Sequence, residues 1–305
     1  MQTRPLAWNG IALDVPENWE LALYRFPGRG VAHIEVEDEY ALRLELDWLA
    51  DAKRADAARF LAGFDRSAAN LARNADRKTA LDGFAEGWRV TRYDFRETIP
   101  TRRRKRGLVI ADHSLLSAIF TARDSAFVCR LLLHFLPGDQ EEPEALMRLV
   151  TASLKRYATG PIPWILFDIA FELPREFRLE AATFDIGSKL MVFRRGGRRL
   201  YLWFLSCADR FLNSAPRDEI WVTGFLNGLR RVPGIVFWPG ADGGVTWRRR
   251  RRNLICHRDE LARWCFRYLV GYRRDRDRNQ LRIWVFNHRR DEDRRMLPPA
   301  LTDGN

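Results

Sequence analysis

The chain has 305 residues, 46% of them hydrophobic, and a formal net charge of +12 at pH 7. That length sits near the upper limit for one compact core and points to two domains of roughly 150 residues, while the apolar content excludes disorder throughout. No apolar run reaches the about 18 residues of a membrane-spanning helix, and Met1–Trp8 has no apolar signal core; the sequence reads as cytoplasmic.

The positive charge is nearly all arginine. It admits an anionic partner, whether nucleic acid, an acidic protein or a membrane surface, although arginine in place of lysine is also what a GC-rich genome and a solvated surface produce. Four cysteines (Cys129, Cys207, Cys256 and Cys265) lie far apart without a CxxC pair. They read as buried free thiols in a reducing compartment, and clustered zinc ligands are absent. No metal and no cofactor is expected.

In chain order, Ile11, Leu13 and Val15 alternate with Ala12 and Asp14, a half-buried strand ended by Pro16-Glu17-Asn18. Further strands follow at 19–24 and 31–36, around a turn at Pro27-Gly28-Arg29-Gly30. In Ala41–Trp48, Leu42, Leu44 and Leu46 face one side and Arg43, Glu45 and Asp47 the other, the pattern of an antiparallel sheet with one wet face. The period then becomes helical over 54–73. Strands return at 87–95, 114–122 and 126–136, the last two joined by a tight turn at Arg123-Asp124-Ser125. A helix from Pro143 to Tyr157 closes this half, with proline in its first turn.

Gly160-Pro-Ile-Pro163 is the predicted linker, after which the order repeats. Ile11-Ala-Leu-Asp-Val-Pro-Glu-Asn-Trp-Glu-Leu21 returns as Ile169-Ala-Phe-Glu-Leu-Pro-Arg-Glu-Phe-Arg-Leu179. The offset of 158 continues without a gap and sets Phe26 on Phe184, Leu44 on Leu202 and Asp51 on Asp209. Strands are predicted at 167–173, 177–184, 188–194 and 199–206, a helix at 217–231, and strands at 234–238, 244–249, 261–272 and 280–287. The final helix is reduced to a charged remnant around Asp291–Arg295. The expectation is an α+β protein of two similar domains, 1–159 and 164–296, from internal duplication, each an antiparallel sheet packed with helices, with a flexible tail at 297–305.

The VPENW and LPREF turns, with a mid-domain helix and a closing helix, make the element order similar to tandem Mog1/PsbP-like domains. That resemblance implies a mostly non-catalytic binding protein, since members partner small GTPases, photosystems or secretion systems. It assigns no binding residue to this chain.

Two basic runs occupy corresponding loops: Arg102, Arg103, Arg104, Lys105 and Arg106, then Arg248, Arg249, Arg250, Arg251 and Arg252. Guanidinium forks suit phosphate contact with salt-sensitive, sequence-independent binding, while charge runs are also ordinary solvated loops. Tyr201, Trp203 and Leu205 replace the wet face of the first copy. With Trp264 and Trp284 they make either a buried sheet face or an aromatic surface for a ligand or partner. Cys256-His257 would point to opposite faces of a strand and needs a histidine from 33, 113, 134 or 288 to act as a nucleophile pair. His257-Arg-Asp259 lacks the rest of a kinase signature, and Gly240–Gly244 lacks a phosphate-loop pattern. Glu35, Glu37, Asp38 and Glu39 form an acidic knot whose counterpart, Phe193-Arg-Arg-Gly-Gly197, is basic. That inversion admits interdomain or homo-oligomeric charge pairing as readily as acid–base chemistry.

The functional expectation is a non-enzymatic binding or scaffold protein, using basic loops and an aromatic sheet face on an anionic or protein partner. The alternatives are sequence-independent nucleic-acid binding and an enzyme acting on an anionic small molecule in an interdomain cleft.

Overall fold

The computed structural model describes residues 2–28, 31–50, 54–100, 108–122, 127–213, 215–229, 235–240, 243–249 and 267–298. Two compact units divide the chain: Met1–Ala7 with Ile11–Arg156, and Tyr157–Asn305 with Trp8–Gly10.

The first unit opens with β1 (Thr3–Trp8) and β2 (Ile11–Pro16). A meander follows of β3 (Glu20–Gly28), β4 (Val31–Glu37) and β5 (Leu42–Ala50), then α1 (Arg54–Asn74). Next come β6 (Arg77–Leu81), β7 (Trp88–Pro100), β8 (Leu108–Thr121) and β9 (Phe127–Phe135). The unit closes with α2 (Pro143–Ser153) and the short β10 (Lys155–Arg156), which pairs with β2. Seven strands form one antiparallel sheet in the order β3-β4-β5-β9-β8-β7-β6. Leu44, Leu46 and Trp48 alternate onto one face of β5 and are buried there. Tyr93, Leu115 and Leu132 form a buried cluster on the sheet, against which Leu71 and Ala72 of α1 pack. Glu142 caps α2 by accepting from the Ala145 amide at 2.6 Å, and Leu146, Met147 and Val150 anchor the helix.

The second unit contains β11 (Ile162–Leu166), β12 (Ile169–Leu173), β13 (Arg178–Asp185), β14 (Ser188–Arg195) and β15 (Arg198–Ser206). Helices α3 (Ala208–Leu212) and α4 (Asp218–Gly228) follow, then β16 (Ile235–Pro239), β17 (Val245–Arg249), β18 (Arg267–Asp275), β19 (Gln280–His288) and a 3-10 helix, Asp291–Met296. Its main sheet runs β13-β14-β15-β19-β18, with β16 and β17 as a separate pair. One face carries Leu190, Val192, Trp203, Ile283 and Val285, packed with Leu212 of α3 and Val222 and Leu226 of α4. On the other, Phe171 of β12 stacks on Phe204 at 5.5 Å, and Trp164 of β11 meets Phe193 edge-on at 4.8 Å.

The repeated sequence has the same local structure in both places. Trp19 N donates to Pro16 O at 3.0 Å, and Phe177 N donates to Pro174 O at 2.9 Å. Register slips between Leu21 and Leu23 in β3, and between Leu179 and Ala181 in β13, the same bulge at the same offset. Asn9 (φ 48°) and Phe167 (φ 51°) both adopt the left-handed conformation at the tips of the β1–β2 and β11–β12 turns. Past β5 the sheet continues with β9 and then β8, and past β15 with β19 and then β18, so in each the later strand of a consecutive pair lies on the inside.

Several expectations change. Antiparallel sheet predominates and the helices are few, so the fold is mostly sheet rather than a balanced α+β arrangement. Ile162 and Pro163, in the predicted linker, begin β11 and pair with Leu173 and Glu172. The helix predicted to run to Tyr157 stops at Ser153, and Leu297, placed in the tail, is buried. Among the described residues no helix is long and apolar enough to cross a membrane.

Candidate anion-binding basin

The repeated turn builds the site in the second unit. Phe177 is buried and holds the Pro174–Phe177 turn against the sheet, its ring centroid 6.0 Å from that of Phe286. Arg175, Glu176, Arg178, Arg194, Arg195 and Gly196 then ring a depression of about 640 Å³. Arg178 opens β13 and stands directly opposite Arg194 at the end of β14. Like charges facing each other across a strand pair repel, so the arrangement stores unsatisfied positive potential.

Among the described residues Arg178 and Arg194 have no carboxylate within ion-pair distance. The nearest carboxylate to Arg195 is Glu176, at 4.0 Å. Arg194 donates to Gly196 O at 2.8 Å, a bond that orients its guanidinium without discharging it, and Arg175 donates to Tyr157 O at 2.9 Å. Arg195 lies over the Phe177 ring at 5.8 Å. Glu180, beside the basin, is hydrogen-bonded to Arg199 at 2.7 Å; that bond, against the opposing effect of burial and with a smaller contribution from the Arg194 charge, holds its carboxyl below the usual range. Because β13 is an edge strand, its charges also discourage pairing with another strand. The lining offers four guanidinium forks and one carboxylate, a set suited to holding an anion rather than to moving protons.

The predicted sites fall elsewhere. Arg102, Arg103, Arg104, Lys105, Arg106, Arg250, Arg251, Arg252, Trp264, Cys256, His257 and Cys265 lie outside the described residues. Arg248 is exposed on β17, opposite Val236, and Arg249 ends the same strand opposite Ile235. Trp203 and Trp284 are buried and do not share a face. Trp203 stands opposite Ile283 and packs edge-on to Phe225, whereas Trp284 stands opposite Leu202. Neither ring is presented to a partner. Cys207, expected to be buried, is exposed; Cys129 is buried, and burial pushes its thiol well up.

The first unit carries a different charged surface. Asp38 of the acidic knot accepts from Arg43 at 2.6 Å and from the Tyr40 and Ala41 amides. The face expected to be wet is instead a half-buried ion-pair ladder. His33 Nδ1 lies 2.8 Å from Asp47 and its Nε2 3.1 Å from Glu35. Asp47 also accepts from Arg130 at 2.6 Å, Arg130 reaches Ser67 at 3.0 Å, and His134 meets Glu45 at 2.8 Å. Beside it, Leu49, Phe60, Phe64 and Arg130 line a hollow of about 370 Å³ whose Asp47–Arg130 wall is already hydrogen-bonded. Among the described residues no three His, Cys, Asp or Glu side chains converge as a metal site.

The sequence signal that would have found the basin was present: aligning Ile11–Leu21 with Ile169–Leu179 sets Glu17 and Glu20 on Arg175 and Arg178. No protein-family model matches the chain, and no curated protein matches it.

Proposed function

We propose that the protein is a non-enzymatic binding protein that docks an acidic protein surface on the arginine basin of its second unit. One observation carries this reading: Arg178 and Arg194 face each other in register, and neither has a carboxylate within ion-pair distance among the described residues. An acidic protein surface is favoured over nucleic acid because base stacking needs an open aromatic platform, the described lining of the basin has no aromatic residue, and the ring beneath Arg195, Phe177, is buried.

We read the two units as copies of one ancestral module. The common turn, the common bulge and the matching strand order support that reading. The resemblance of the sequence to tandem Mog1/PsbP-like domains, whose members are mostly non-catalytic, is part of this proposal and agrees with a binding role.

The test is fluorescence anisotropy with a labelled glutamate-rich peptide and a single-stranded RNA of equal charge. The peptide should bind in a salt-sensitive manner, and Arg178→Glu with Arg194→Glu should weaken it at least roughly tenfold, the sum of two exposed charge contacts. Unchanged peptide binding by the double variant would remove the reading. RNA bound more tightly than peptide through the same arginines would transfer it to nucleic acid.

A further inference from the structure

The basin has a charge-inverted counterpart on the same chain. In the first unit Glu20 opens β3 and stands opposite Glu37 at the end of β4, the position that Arg178 and Arg194 hold in the second. Glu17 occupies the turn position of Arg175, and with Pro16, Asn18, Gln2 and Glu141 it lines a depression of about 400 Å³. Glu17 and Glu37 are exposed and have no cationic partner among the described residues. Glu20 is the exception, bound to Arg4 at 2.6 Å.

The backbone beneath both charge sets is the same: one turn hydrogen bond, one bulge, one pair of adjacent strands. The acidic and basic sets are therefore carried on equivalent backbone: Glu20 and Glu37 on adjacent strands as Arg178 and Arg194 are, and Glu17 in the turn as Arg175 is. The exposed Glu17 and Glu37 are opposite in charge to Arg178 and Arg194, which makes the two surfaces of one chain electrostatically complementary.

We infer that the partner of the arginine basin is a second copy of this chain, whose Glu17 and Glu37 rim docks on Arg178 and Arg194. The inference rests on the binding reading above and names its partner. The two patches differ, so the contact is head-to-tail and builds a ring or an open chain of subunits. Exposed ion pairs are individually weak and screened by salt, so the assembly is reversible and dissolves as ionic strength rises.

The experiment is sedimentation velocity of the full chain at about 0.05 M and about 0.5 M salt, where screening lengths differ several-fold. The wild-type chain should associate at low salt and be monomeric at high salt. Arg178→Glu with Arg194→Glu, and separately Glu17→Arg with Glu37→Arg, should each be monomeric at both. An equimolar mixture of the two variants should associate again, because one supplies only acidic patches and the other only basic ones. The neutral pair Arg178→Gln with Arg194→Gln guards against a folding defect and should also fail to associate. A wild type that stays monomeric at low salt, or assembly that survives either reversal, overturns the inference. If the wild type is monomeric yet the glutamate-rich peptide still needs Arg178 and Arg194, the self-contact falls and the binding reading stands. If the peptide does not need them, both fall.

Discussion

Gly271 of β18 stands directly opposite Trp284 of β19, and the indole lies across it so closely that a Cβ there would be 2.2 Å from a ring carbon. The glycine is present for space, since its φ is not in the left-handed region. Gly271→Ala must displace the buried Trp284 and should cost about 1–3 kcal/mol, the usual range for overpacking a core. Gly63, inside α1, is the control: a Cβ there meets nothing within 4 Å. Gly63→Ala should stabilise by up to about 1 kcal/mol, because glycine is a poor helix former. Denaturant unfolding of the two variants checks both signs, and a neutral Gly271→Ala would show that Trp284 repacks freely.

The ladder in the first unit should make stability depend on pH through His33. Its hydrogen bond to Asp47, against the opposing effect of burial and with help from Glu35, raises its pKa above the ordinary imidazole value of 6.5. A raised folded value means the stabilisation is complete below the unfolded pKa and is lost as pH rises through the folded one. Glu45 is held low chiefly by His134. Asp47 is held low by His33 and Arg130 despite burial, its largest and opposing influence. Those contributions are present above ordinary carboxylate values and are lost as pH falls through the lowered ones. Stability of the first unit should therefore be greatest at mildly acidic pH and decline across neutrality. His33→Gln should remove the decline on the alkaline side, and denaturation midpoints measured across a pH series check it. Curves for the variant and the wild type that run parallel would exclude His33 as the cause.

The two matching turns were legible because both keep proline and an aromatic anchor at fixed offsets, and the local backbone follows from those residues. Helix α1 was legible for the same local reason. What stayed hidden depends on partners distant in sequence. Arg43, Glu45 and Asp47 alternate as a wet face would, but Arg130 reaches Asp47 from 83 residues away and Asp139 reaches Arg43 from 96, and together they close that face. Trp203 and Trp284 each sit in an aromatic strand, and only the pairing of β15 with β19 shows that their rings point apart. Strand β6 was missed because Arg77-Lys-Thr-Ala-Leu81 is a mostly exposed edge strand without an apolar run.

At the end of the chain, buried Asp293 receives both arms of Arg198 at 2.8 Å and accepts from the Arg289 and Arg290 amides. The Arg198 guanidinium, against a smaller effect of burial, holds its carboxyl far below the usual range. A lowered folded value means this stabilisation is present above the ordinary carboxylate pKa and is lost as pH falls through the lowered one. Asp293→Asn removes the charge and leaves the Arg198 fork half-satisfied, with an expected cost of about 1–3 kcal/mol. Unfolding at neutral pH measures the cost, and an unchanged midpoint would mean that the 3-10 helix is held by Leu297 instead.

Arg282 is the opposite case, a cation that the second unit shields from water without giving it an acid. Among the described residues it makes no hydrogen bond or ion pair, and its Nε is buried without an acceptor. The guanidinium lies over Phe204 at 5.2 Å and stands opposite Arg273 in register. Burial first, then Arg273 and Arg278 against a partial offset from Asp275, lowers its pKa from the ordinary arginine value. A shielded charge without a partner is destabilising, whereas an apolar chain of similar length would keep the contact with Phe204. Arg282→Met should therefore raise the unfolding free energy by about 1 kcal/mol or more, even after losing a cation–π contact of about 0.5–1 kcal/mol. Arg273→Met, at an exposed position, relieves only the like-charge repulsion and should gain less. If Arg282→Met lowers the melting temperature instead, the guanidinium contributes through its aromatic contact more than its desolvation costs.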